Sequence, residues 1–206
     1  MRGAGQSFPS KKSGVYRQWN IEGYEARKFL SKTKITDLSR QIAKVNHGEE
    51  ITFEQILLTD NPPDPRLVII DRQIADHVHN KQMDLLALSR PNGSGAFSFL
   101  VIEVKLGKNP ELRDSVAMQL NNYVAHVDKY IDDYINCYSR NYAQQRRLGL
   151  LNFKSAEDKI EILPIVEGLV VVGGYSGIAQ DAIAELKSNH PNIRVKEMRN
   201  SLVSVD

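Results

Sequence analysis

The sequence predicts an α/β domain with a mixed central β-sheet flanked by helices. Three observations carry this reading: short apolar runs near residues 66–75, 83–89 and 96–107 joined by polar turns, a long stretch of helical periodicity from residue 111, and further apolar runs that alternate with a helical pattern. Strands that first meander and later need crossovers make a sheet with both antiparallel and parallel pairs. The predicted order is helix, three strands, helix, strand, helix, strand (α-β-β-β-α-β-α-β).

Taken in order, residues 1–14 are rich in Gly, Ser, Pro and Lys, which predicts little fixed structure. Between Ile21 and Val45, Tyr24, Phe29, Leu30, Ile35, Leu38 and Ile42 fall at roughly helical intervals and predict one or two helices. "HGEEITFEQILLTDNPP" predicts a short helix with acids in its first turn, where the helix dipole favours them, and a Pro-Pro stop. "RLVIIDRQIA" and "MDLLALS" read as strands separated by the polar turn "DHVHNKQ", and "RPNGSG" as the hairpin loop leading to a third strand, "AFSFLVIEVKLG". Leu112, Val116, Leu120, Tyr123, Val127, Tyr130, Tyr134 and Tyr138 lie three or four apart and predict one apolar stripe on a long helix ending near Gly149. Its tyrosines suit a core, a homodimer seam or stacking on bases. "VEGLVVVGGYS" then reads as a buried strand, "GIAQDAIAELKSNH" as a helix and "IRVKEM" as a last strand.

With 206 residues and 41% hydrophobic content, the chain suits one well-buried domain, here residues 46–206, with residues 1–45 as a basic N-terminal extension. No apolar stretch approaches the roughly 20 residues needed to span a bilayer, and the N-terminus lacks the apolar segment of a signal peptide, so no membrane partner and a cytoplasmic location are expected. A single cysteine, Cys137, excludes an intrachain disulfide and a Cys-rich zinc site. Net charge is only +2, but its distribution is uneven: residues 1–45 hold ten Lys/Arg against three Asp/Glu, a balance of +7, which leaves the remainder at −5. Such a leader is either a basic arm that contacts phosphate or a solvated extension.

The chemistry-bearing pattern lies in the third predicted strand. Alternation of side chains puts Glu103 and Lys105 on one face and Val104 on the other. A Glu-x-Lys triplet arises by chance about once in a chain of this size, so its surroundings decide. Counting out from the hairpin loop places Asp84 opposite position 102, within a residue or two of Glu103. Two carboxylates suit Mg²⁺ or Mn²⁺, which is typically held by one or two such groups plus substrate phosphate, and a lysine beside them suits transition-state charge. The competing reading is an ion-pair network without a metal.

"MDLLALS…FLVIEVKLG…AMQLNNYVAHV" resembles the PD-(D/E)xK nuclease superfamily, and the stretch from Glu50 to about Val127 is most similar to the catalytic domain of NucS-type and related DNA endonucleases. The matching residues are Asp84, Glu103, Lys105, Gln119 and Tyr123. The resemblance implies a restriction-endonuclease-like core and a Mg²⁺-dependent endodeoxyribonuclease in which Asp84 and Glu103 bind the metal with the Val104 carbonyl, Lys105 is catalytic and Gln119 faces the site. An acid on the first helix completes that pattern. Glu50 matches best, with Glu54 one turn later on nearly the same face. Arg72, Lys105 and Tyr123 are the candidate DNA contacts. Met83 stands where the superfamily's eponymous proline would be, and the short basic leader replaces the NucS-type DNA-binding domain, so mismatch specificity is not implied. The alternative function is a catalytically inactive nuclease fold serving DNA binding or assembly.

Three further patterns have plainer readings. His77 and His79 have His-x-His spacing without a third nearby ligand and read as turn residues. "GGYSG", residues 173–177, lacks the remainder of a phosphate-loop motif and reads as a strand-to-helix turn. Arg146 and Arg147 suit the negative end of a helix dipole.

Overall fold

A computed structural model of the chain describes residues 6–10, 14–18, 49–76, 81–90, 95–153, 159–174 and 177–198. These divide into two units, Met1–His47 and Gly48–Asp206. In the first, β1 (Gln6–Ser10) and β2 (Gly14–Gln18) form an antiparallel hairpin with Phe8 opposite Tyr16. Composition predicts little fixed structure over residues 1–14, but aromatic and β-branched residues favour strand pairing. The helices predicted between Ile21 and Val45 lie outside the described residues.

The second unit begins with α1 (Glu49–Asp60). It stops where Asn61 turns its side-chain amide onto the Leu57 carbonyl at 2.7 Å and Pro62 and Pro63 remove the next backbone donors. Strands β3 (Leu67–Asp76), β4 (Lys81–Ser89) and β5 (Phe97–Leu106) follow as an antiparallel meander. Then come α2 (Glu111–Asp114), α3 (Val116–Lys129), α4 (Ile131–Arg147), β6 (Ile162–Gly173), α5 (Gly177–Asn189) and β7 (Arg194–Met198). The sheet order is β3-β4-β5-β6-β7, and β5, β6 and β7 pair in parallel, so the α/β class with a mixed sheet is as the sequence predicts.

Helices cover both faces of the central strand, which explains why β5 is almost wholly buried. On one face Phe97, Phe99 and Val101 pack with Leu112, Val116, Leu120, Val127, Tyr138, Tyr142 and Ile183. On the other, Leu85, Leu100, Ile102 and Val104 pack with Leu57 and Phe53 of α1. Gly168 admits α3 to β6, since a Cβ there would meet the Leu120 side chain at 3.0 Å.

The single long helix predicted from Glu111 to Gly149 is instead three segments. The chain leaves helical geometry at Ser115 (φ −131°, ψ −17°) and again at Tyr130 (φ −112°, ψ 30°). A straight helix of that length would run about 58 Å at 1.5 Å per residue, past a five-strand sheet roughly 24 Å wide. The break at Tyr130 returns the stripe to the sheet, with α3 against β5 and β6 and α4 against β3 and β6. Tyr138 and Tyr142 are thereby buried in the core, and Tyr134 and Tyr138 pack edge-on to Phe99 at 6.1 and 5.9 Å between ring centres. A homodimer seam would have to use another face of this helix.

Candidate active site

The site forms where the β4–β5 ladder ends. Leu85 opposite Ile102 is its last pair, so one step further sets Asp84 across from Glu103, one position from the partner obtained by counting. There the Asp84 side chain takes over from the backbone: Val104 N–H donates to Asp84 Oδ2 at 2.8 Å. The N–H and C=O of one strand residue point to the same edge, so the Val104 carbonyl is also directed toward the Asp84 side.

Glu103 and Lys105 are 3% and 7% exposed. Lys105 Nζ donates to Glu103 Oε1 at 2.9 Å and to Glu111 Oε2, on the first residue of α2, at 2.8 Å. Glu103 Oε2 is buried and has no hydrogen-bond partner. Burial, and then the neighbouring Asp84 charge, push the Glu103 carboxyl up to about 7. Burial also raises Asp84, against the Val104 N–H and Lys105, which favour its charged form. Burial alone would lower the Lys105 ammonium, but its bonds to Glu111 and Glu103 outweigh that and raise it. Glu111 moves down, chiefly through the hydrogen bond from Lys105.

Helix α3 lays Gln119 and Tyr123, one turn apart, along this cluster. The Gln119 amide donates to Glu111, while its Oε1 is buried without a partner. Tyr123 is raised by burial and then by the Glu103 and Asp84 charges, which places it within their field.

The two acids of α1 divide their tasks. Glu50 Oε1 accepts from Leu106 N–H at 3.1 Å and from the Asn109 amide at 2.6 Å, bracing the turn between β5 and α2. Glu54, 2% exposed, receives the Gln73 side-chain amide at 2.7 Å and lies 3.7 Å from Arg72 Nη1. Its carboxyl is raised by burial, opposed by Gln73 and reinforced by the Asp84 charge. Arg72, placed by sequence beside the site, therefore faces an acid already in the structure.

Two residues of the cluster escape the sequence reading. An acid opening a helix normally signals only the dipole preference, so nothing marks Glu111 as a partner of Lys105. Gln73 has φ +53°, a left-handed conformation that costs a non-glycine residue about 1 kcal/mol. It falls between the pairs Arg72–Leu85 and Ile74–Met83, across from Asp84. No sequence signal announces it.

The plainer patterns resolve locally. Gly173 is small because a Cβ would collide with the Phe53 ring, and Gly174 turns the chain at φ +69°. Arg146 donates to the Leu151 carbonyl at 3.0 Å, just past the end of α4. His77 and His79 lie outside the described residues, as do positions 175–176 of the glycine turn and 91–94 of the hairpin loop.

Half-buried Asp84, whose charge raises the proton affinity of buried Glu103, and Glu103 itself, with its unpartnered oxygen, form a carboxylate pair of the kind a hard divalent cation takes. Among the described residues no group of three or more His, Cys, Asp or Glu is arranged to hold a metal ion. Mg²⁺ asks for less, since it commonly takes one or two carboxylates and keeps several waters. Among the described residues, no helix is long and apolar enough to cross a membrane. No family model, curated protein or solved structure matches the chain.

Proposed function

We propose that the chain is a Mg²⁺- or Mn²⁺-dependent DNA endonuclease of the PD-(D/E)xK type, working in the cytoplasm on a restriction-endonuclease-like core. The observation that carries this reading is the placement of Asp84 across from Glu103, with Lys105 on the same face and the Glu103 Oε2 atom buried without a partner. Asp84 and Glu103 would hold the cation, with the Val104 carbonyl on the same edge. A cation bound there would lower the pKa of a water and offset charge growing on the scissile phosphate. Lys105 contributes a fixed positive charge where that negative charge develops, in surroundings that screen it poorly. Tyr123 offers a stacking face and Arg72 a phosphate contact, provided that Arg72 releases Glu54.

Nicking of supercoiled plasmid tests the reading. Cleavage is expected with Mg²⁺ or Mn²⁺, none with a chelator, and a loss of about 10²- to 10⁴-fold in Lys105→Ala. Undiminished cleavage by that variant would overturn the assignment. The second reading, a nuclease fold that binds DNA or a partner without turnover, draws on the full engagement of Lys105 by two carboxylates. Calorimetry with Mn²⁺ separates the two, since a folded protein that takes up no cation at Asp84 and Glu103 favours this second reading.

A further inference from the structure

Lys105 lies between Glu103 and Glu111, at 2.9 and 2.8 Å. If Glu103 is a cation ligand, its hold on Lys105 weakens whenever a cation is present, because both compete for one carboxylate. Glu111 has no such second task. Its position is prepared from three directions. Its backbone N–H is fixed by the Asn109 side-chain oxygen at 2.9 Å, the Asn109 amide is held by Glu50 at 2.6 Å, and the Gln119 amide bonds the Glu111 carboxylate. Glu50 and Gln119, which stand at opposite ends of the motif, thus converge on an acid outside it.

We propose that Glu111 is the positioning residue that keeps Lys105 in the site when Glu103 turns to a cation, and that Glu50, Asn109 and Gln119 act by presenting Glu111. The inference deepens the nuclease reading and rests on it for its catalytic consequence, but the hold on Lys105 can be measured without turnover.

The test is amine acylation of the full chain, read by mass spectrometry at Lys105 against the exposed Lys129, with and without Mg²⁺. In Glu111→Gln, Lys105 is expected to label about tenfold faster than in wild type, the equivalent of one lost charge-assisted hydrogen bond, and the increase should be larger with Mg²⁺. Asn109→Ala should shift labelling in the same direction by less. Glu49→Gln, which removes an exposed acid paired with Lys108, should leave it unchanged. Circular dichroism and melting confirm that each variant is folded. In plasmid nicking, Glu111→Gln should lower kcat by about 10- to 100-fold with KM little altered, as loss of an orienting partner does. Unchanged Lys105 labelling in folded Glu111→Gln overturns the proposal, as does an unchanged kcat in an active enzyme. A wild-type protein that never nicks DNA but whose Lys105 labels faster in Glu111→Gln overturns the nuclease reading and supports the hold by Glu111.

Discussion

One face of β5 is aromatic at its start and charged at its end, and the two ends are buried for different reasons. Phe97 and Phe99 meet Tyr134, Tyr138 and Tyr142 of α4 with ring centres 5.9 to 6.2 Å apart. Burying each ring stabilises the fold by about 1.5–3 kcal/mol, with roughly 0.5–1.5 kcal/mol more from each ring pair. Six residues on, Glu103 and Lys105 are nearly as buried. There the energetics reverse, since a buried ion pair is commonly matched or exceeded by apolar residues of similar volume, by about 1–4 kcal/mol. Equal burial therefore carries opposite meanings along one strand. The aromatic end holds the fold together, and the charged end is a cost that the aromatic end must offset.

The largest effect that would break this contrast is at the aromatic end. Phe99→Ala should lower stability by about 3–5 kcal/mol in urea unfolding, through lost burial and the cavity left under Tyr134 and Tyr138. A loss below about 1 kcal/mol would mean that α4 is anchored elsewhere.

At the charged end the contrast sharpens with pH. The Glu103 carboxyl lies near 4.5 in an unfolded chain and near 7 in the folded one. The folded state thus binds the proton more tightly, and its contribution to stability is present below pH 4.5 and falls away as pH rises to 7. Asp84 shifts in the same direction. Glu111, which is lowered, acts oppositely, contributing above its ordinary value and losing that contribution on acidification. Comparing wild type with Glu103→Gln isolates the Glu103 share. Between pH 4.5 and 7 the difference should move in favour of the variant by roughly 2–4 kcal/mol, and Mg²⁺ should narrow it at pH 8. A difference that does not vary with pH would show that Glu103 is not held in that environment.

A smaller effect tests the polar fringe of the aromatic end. The Tyr138 hydroxyl donates to Asp71 Oδ2 at 2.9 Å, beside the irregularity in β3 between Ile69 and Asp71. Tyr138→Phe leaves that oxygen without its donor and should cost about 1–3 kcal/mol, while nicking activity is retained. Loss of activity in a stably folded variant would mean that the two ends are coupled.

The sequence by itself determined the α/β order, the strands of the five-stranded sheet and the meeting of Asp84 with Glu103, because strand alternation and hairpin counting are local rules and a tight turn leaves little room for slippage. Counting missed by one residue, within the reach of those rules. The tertiary structure decided the rest. It broke the long helix at Ser115 and Tyr130, because the length of a helix must fit the sheet it covers, and periodicity carries no record of that sheet. It chose between tasks for Glu50 and Glu54, which share a helix face but meet different neighbours, the turn at Asn109 and the strand at Gln73. It also brought Glu111 onto Lys105, six residues away through a turn whose path depends on Glu50, fifty-nine positions before Asn109. Contacts of that kind depend on where separate elements pack, and no spacing in the chain encodes them.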